Sequence, residues 1–209
     1  MSDRQREKWD RTYSGDGSYF GTSPSFMAQH AMSVMKNEGC EKVLELGCGQ
    51  GRDTAHMSWA GFDVSAVDYS EVCCRQVSEV VEEVEAVCCD IRNGLPFPDG
   101  YFDACFSHMF FTMNFSMEEL KSMVCEVYRV LRPGGLAFYS VRSKKDPHYQ
   151  KGEHVFEEVW EMNGFQVRYL DEYDIRTLAQ RFDLVSVLEF EEGALPKHLY
   201  AVTMRRPPR

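Results

Sequence analysis

The stretch Val43-Leu44-Glu45-Leu46-Gly47-Cys48-Gly49-Gln50-Gly51 constrains this chain more than any other. A short apolar run carrying one acid breaks into three glycines at alternate positions, which reads as a buried parallel strand followed by a tight turn. Arg52 to Ala60 then has helical character and stops at Gly61, in the position of a helix-ending glycine. Strand, glycine turn and helix together form a shelf for a nucleoside-bearing cofactor, because glycine lets the backbone approach a ligand with no β-carbon in the way.

The spacing bears on which cofactor. A dinucleotide site follows G-x-G-x-x-G, and counted from Gly47 its third glycine would fall at Arg52. The motif present is E-x-G-x-G-x-G, Glu45 to Gly51. A second acid, Asp68, closes the next apolar run 17 residues past Gly51, where a carboxylate holds ribose hydroxyls. A third, Asp90, ends the run Ala86-Val87-Cys88-Cys89. Acids at three successive strand ends suit a cofactor with cationic groups and no phosphates. S-adenosylmethionine, with its sulfonium and ammonium, fits this pattern better than NAD does.

With these residues in view, the chain resembles the class I S-adenosylmethionine-dependent methyltransferases. The likeness is to the small single-domain enzymes of the tellurite- and thiopurine-resistance kind and to their generic relatives. It extends from Trp9 to about Arg205 through five segments. These are Glu45 to Gly51, Val67-Asp68-Tyr69-Ser70, Cys89-Asp90-Ile91, Phe102 to Phe106 and Leu131-Arg132-Pro133-Gly134-Gly135. The resemblance implies a doubly wound α/β fold with a mostly parallel seven-stranded sheet in the order 3-2-1-4-5-7-6, strand 7 antiparallel. It also implies cofactor contacts from Tyr13, Glu45, Gly47, Cys48, Gly49, Gly51, Asp68, Tyr69, Asp90, Ile91 and Ser107. Asp90 would meet the adenine amino group and Ile91 the ring face.

At 209 residues the chain reads as one domain, an aromatic arm over 1–22 and a core over 23–209. No uncharged apolar stretch approaches the ~18 residues of a membrane span. The polar start Met1 to Lys8 has no signal-peptide core, so cytoplasm is the expected location. A net charge of −10 argues against a nucleic-acid partner. The terminal arginines read as solvated ends. The eight cysteines, including the pairs Cys73-Cys74 and Cys88-Cys89, lack chelating spacing and read as buried small hydrophobes, with no metal site; a metalloid role is the alternative.

The arm carries Trp9, Tyr13, Tyr19 and Phe20, too much aromatic surface for a free tail. In the family it resembles, the arm folds over the cofactor, which makes Tyr13 and Tyr19 candidates for touching cofactor or substrate. Anchoring the arm is the equal alternative. Ser23-Pro24 reads as the start of a helix ending at Gly39. Ser70 caps a helix to about Glu83, and Ser116-x-x-Glu119 is a capping box heading a helix to Leu131. Pro133-Gly134-Gly135 turns it into a fifth strand, Leu136 to Val141. Asp171 to Arg181 reads as a helix, and Phe182 to Glu191 with His198 to Met204 as an antiparallel pair.

His108 stands just past the fourth strand's carboxyl end, where it is a candidate general base or a partner for the loop backbone. The polar segment 142–152, with His154, Phe156 and Trp160, is the region to watch for specificity. Methyl transfer from a sulfonium is an in-line displacement that asks mainly for alignment and dryness. No N-P-P-Y or D-P-P-Y follows strand four, and no Pro-Cys pair is present. The expected function is therefore methylation of a small-molecule acceptor by a monomer or homodimer. Within enzymes the rival is a nicotinamide oxidoreductase; outside them it is a catalytically silent cofactor-binding module.

Overall fold

A computed structural model of the chain describes residues 3–15, 21–193 and 197–208. Its elements in order are α1 (Asp3–Gly15), α2 (Phe26–Asn37), β1 (Lys42–Leu46), α3 (Arg52–Trp59), β2 (Asp63–Asp68), α4 (Glu71–Val80), β3 (Glu85–Cys88) and β4 (Phe102–His108). They continue with α5 (Met117–Val130), β5 (Leu131–Arg142), β6 (Glu153–Phe156), β7 (Val159–Met162), β8 (Phe165–Arg168), α6 (Glu172–Leu178), β9 (Asp183–Glu192) and β10 (Lys197–Arg205).

Seven strands form one sheet in the order β3-β2-β1-β4-β5-β10-β9. All neighbours are parallel except β10, which runs antiparallel to both β5 and β9. With β9 and β10 counted as sixth and seventh, this is the expected order. The period of two along β1 distributes its side chains between two cores. Leu44 and Leu46 face a layer containing Leu120, Met123 and Val127 of α5 and Ile175 of α6. Val43 faces the opposite layer, with Met27, Ala31 and Met35 of α2 and Met57 of α3. Each such fully buried side chain contributes about 1.5–3 kcal/mol of transfer free energy.

Several boundaries differ from the sequence expectation. Helix α2 is capped by Ser25, not Ser23: the Ser25 hydroxyl accepts the Ala28 amide at 3.0 Å. Asp53 at the start of α3 fixes that serine, taking its amide and its hydroxyl at 2.8 Å each. A tertiary partner thus decides between two serines that a local reading ranks alike. Helix α4 stops at Val80, so the acidic run 79–85 mostly lies beyond it and opposes no helix dipole. Strand β5 begins at Leu131, taking in Pro133-Gly134-Gly135, since Leu131 already pairs with Phe102. The terminal arginines are not simply solvated. Arg205 pairs with Glu38, and Arg206 donates to the Tyr128, Arg129 and Leu131 carbonyls at the end of α5.

Two larger differences shape the site. The amino-terminal arm is a helix through Gly15; Tyr19 and Phe20 lie outside the described residues. Residues 153–168 are an antiparallel meander, β6-β7-β8, rather than a loop. The turn between β7 and β8 is Asn163-Gly164, with φ of 53° and 81°. That is the strongest short hairpin signal a sequence offers. The meander is tied to the body by the fully buried Arg168, which donates to the Phe115 carbonyl and pairs with Glu157. Asn114 also donates to Gln166 at 2.9 Å. Helix α1 is tied to the meander in turn: Gln5, itself buried, donates to the Gly164 carbonyl and accepts the Gln166 amide.

Candidate active site

In the strand order, β1 lies between β2 and β4, so the chain winds outward in opposite directions from the β1–β4 boundary. Ligands of open parallel sheets sit outside the carboxyl ends of strands at such a switch. Here the carboxyl end of β1 turns sharply. Gly47 and Gly49 have φ of 72° and 51°, in the left-handed region that side chains disfavour. A β-carbon on Gly47 would stand 2.7 Å from the Phe110 ring. The turn is pinned to β2 by Gly47 and Cys48 donating to the Val67 carbonyl and by Gly49 donating to the Asp68 carboxylate at 3.0 Å. Gly51 is the N-cap of α3 and contributes no side chain to the cap.

Above this turn lies a cavity of about 940 Å³. Tyr13, Glu45, Gly47, Cys48, Gly49, Gly51, Asp68, Tyr69 and His108 all line it. Asp90 and Ile91 line a much smaller adjoining slot of about 10 Å³, shared with Gly47, Asp68 and Tyr69 and walled by Phe110 and Phe115. A purine needs that slot wider. Ser107 lines neither space; its hydroxyl is buried with no partner among the described residues.

The acids differ in state. Glu45 is buried, shares a hydrogen bond with Thr54 of α3, and has its pKa pushed up to about 8 by burial and then by Asp53. Asp68 is also buried. Burial lifts it to about 6 against the amides of Ser70 and Gly49, which it accepts at 3.0 Å each. Asp90 caps the short helical turn Ile91–Asn93 and is gripped by the Arg92 guanidinium. The Tyr69 hydroxyl is buried without a partner among the described residues.

His108 is held at both ring nitrogens. The Ser140 hydroxyl accepts the Met109 amide at 3.0 Å and lies 2.8 Å from Nδ1 of His108. Nε2 stands 3.1 Å from Glu192 Oε2. Burial would raise the Glu192 carboxyl; the histidine contact outweighs it and holds the group below its usual value.

The far end of the cavity is walled by Arg142, His148, Trp160, Phe165, Tyr169 and Lys197. Within the segment singled out for specificity, Arg142 and His148 face the cavity, as does Trp160 beyond it. Lys144 and Lys145 are instead paired with Asp171 and Asp174 and with Glu189. Lys197 carries no signal in the sequence. It reaches the site because β10 folds back along β5, pairing Leu199 with Arg142.

Residues 43–135 match the family model described as a methyltransferase domain. Together with the fold, this match supports a class I S-adenosylmethionine-dependent methyltransferase of generic type. Among its relatives, the malonyl-[acyl-carrier protein] O-methyltransferase of Erwinia billingiae is 32% identical over 108 residues, 52% of this chain and 41% of that one. The demethylmenaquinone methyltransferase of Tropheryma whipplei is 31% identical over 96 residues, 46% and 39% of the two chains. The chain thus spans about two fifths of the length of these curated relatives. Among solved structures, the 1,6-didemethyltoxoflavin-N1-methyltransferase of Burkholderia thailandensis superposes with a TM-score of 0.71 at 18% identity, covering 98% of this chain and 88% of that one. The N-methyltransferase NodS of Bradyrhizobium japonicum gives 0.73 at 11%, covering 98% and 100%. Both were solved with S-adenosylhomocysteine. The family match supports S-adenosylmethionine as the cofactor. The site suits that group: two buried acids stand ready for cationic and hydroxyl groups, and the glycine turn is bare on the cavity side. Among the described residues no cluster of three or more His, Cys, Asp or Glu is arranged to hold a metal ion, and no helix is long and apolar enough to cross a membrane.

Proposed function

We propose that this methyltransferase moves a methyl group from S-adenosylmethionine to a small-molecule acceptor. One observation carries the reading: a single cavity is lined both by the glycine turn and by a recess of aromatic and basic side chains, so donor and acceptor can share one space. In this reading Asp68 accepts the ribose hydroxyls and Glu45 faces the ammonium group. Gly47 and Gly49 offer bare backbone to the methionine part, while Asp90 and Ile91 take the adenine. Tyr13 roofs the site from α1.

When bound, the cofactor supplies a methyl group already activated by its sulfonium charge. The chain's own residues align the acceptor and exclude water. His108, in contact with Ser140 and Glu192, sets the shape of the loop after β4. In this reading the protein acts as a monomer or homodimer in the cytoplasm. The deciding experiment is a panel of thiol, amine, carboxylate and metalloid acceptors, scored for S-adenosylhomocysteine release. Cofactor binding with no release on any acceptor would leave a silent binding module.

A further inference from the structure

The recess beyond the glycine turn departs from the sign of the rest of the molecule. The protein has a net charge of −10, yet Arg142, His148 and Lys197 meet at this end of the cavity, with Arg52 on the cavity wall as well. Their states differ in a way that points to a ligand. Arg142 is already satisfied: its Nε and Nη2 grip both oxygens of Asp146 at 2.8 and 2.7 Å. Asp146 is fully consumed in turn. It also accepts the His148 amide, approaches His148 Nδ1 at 3.1 Å, and accepts the His198 amide at 2.9 Å. Glu192, the register partner of Lys197, is turned to His108. Nearby Lys144 and Lys145 have carboxylate partners.

Lys197 does not. Among the described residues no carboxylate stands within ion-pair distance of it, although it is half-buried in the cavity wall. Burial, and then the charge of Arg142, hold its ammonium below the usual lysine value. A cation partly withdrawn from bulk water, beside the paired Arg142 and Asp146 and near a Glu192 engaged elsewhere, gains from an incoming anion because the local dielectric is low. The walls beside it are flat and apolar: Trp160, Tyr169 and Phe165. The buried Trp160 N–H has no acceptor among the described residues. Such walls favour a planar body by offset or edge-on ring contact.

We infer that the methyl acceptor is a small planar acid, its ring against Trp160 and Tyr169 and its anionic group received by Lys197. This rests on the methyl-transfer reading above and narrows it to a substrate class. Lys197 is then a specificity residue, and its paired neighbour Arg142 shapes the wall and adds to the positive field.

The test uses the full chain and matched probes: salicylate against salicylamide, and anthranilate against anthranilamide, titrated calorimetrically into protein saturated with S-adenosylhomocysteine. Each acid should bind at least tenfold tighter than its uncharged amide. Lys197→Met and Lys197→Gln should bring the acid down to the amide's affinity, while Lys197→Arg keeps most of the preference. Binding of S-adenosylhomocysteine within twofold of wild type reports that each variant is folded. Equal binding of acid and amide by the wild type overturns the inference. So does failure of both acids to bind at several millimolar, or a preference that survives both Lys197→Met and Lys197→Gln. If the wild type does not bind S-adenosylhomocysteine at all, the underlying methyltransferase reading falls, and the inference with it.

Discussion

The hydroxyl of Tyr13 lies 3.4 Å from the point where a β-carbon on Gly49 would stand. Helix α1 therefore ends directly over the glycine turn. Its carboxyl-terminal part is held there by Gln50 and Gln76, whose side-chain amides both donate to the Tyr13 carbonyl, at 3.2 and 3.1 Å. Trp9, one turn earlier, stacks on Tyr13 with ring centroids 5.4 Å apart and packs against Phe165 of the meander at 4.7 Å.

We propose that a helix so placed covers the site as a lid. S-adenosylhomocysteine should slow tryptic cleavage after Arg11, followed by mass spectrometry. Deleting residues 1–20 should abolish turnover, while the sheet remains folded by circular dichroism. Equal cleavage rates with and without the ligand would make α1 a packing strut.

Glu45 should make cofactor binding depend on pH. With its pKa near 8 in the free protein, Glu45 is largely protonated at pH 7. A cationic group beside it favours the carboxylate, so binding should release a proton and tighten as pH rises toward 8. Calorimetry in buffers of different ionisation enthalpy measures that proton. No proton release at pH 7 would remove Glu45 from the ammonium site.

The same shift fixes the sign of a stability effect. An unfolded Glu titrates near ~4.3, so between there and about 8 the folded state holds the extra proton. Cofactor-free protein should lose stability as pH rises through that window, with Asp68 adding to the loss from its unfolded value up to about 6. Glu45→Gln should flatten the decline and raise the melting temperature at pH 8, by about 2–4 °C for each kcal/mol recovered. An unaltered slope in that variant would assign the dependence elsewhere.

Asp68→Ala should weaken S-adenosylhomocysteine binding tenfold or more, because each hydrogen bond to a charged group contributes about 1.5–3 kcal/mol. The substitution also frees the Gly49 and Ser70 amides. Asp68→Asn, which keeps one acceptor oxygen, should fall between the two. Wild-type affinity in a folded Asp68→Ala protein would take the ribose away from this residue.

The thiols should divide by burial. Cys40, Cys48, Cys73, Cys74 and Cys105 are buried and Cys89 is partly so; Cys88 and Cys125 are exposed. Burial pushes Cys74 up to about 12 and Cys89 to about 11, which suppresses the reactive thiolate. A thiol reagent at pH 7.5 should label Cys125 and Cys88 under native conditions and all eight in denaturant. Rapid native labelling of Cys73 or Cys74 would count against their role as packing groups.

The cofactor half of this protein was legible from residues alone because its chemistry is local. Glu45, the glycine turn and Asp68 lie within 24 consecutive positions, and a strand followed by glycines dictates its own geometry. Short, nearly continuous apolar runs at β1, β2 and β4, buried on both faces, likewise point to a parallel sheet before any tertiary contact is known. Even there, local signals failed where a distant partner decided, as with Ser25, chosen over Ser23 by Asp53. The wall proposed for the acceptor was legible only in part: segment 142–152 and Trp160 stood out for specificity, and Lys197 did not. Arg142, Trp160 and Lys197 span 56 positions and share no motif; the antiparallel return of β10 along β5 and the docking of the meander through Arg168 bring them to one wall. The Asn163-Gly164 turn announced the hairpin but not where it would pack. Local sequence sets backbone geometry over a few residues, whereas a binding wall is set by which distant surfaces bury one another, and only the folded chain contains that information.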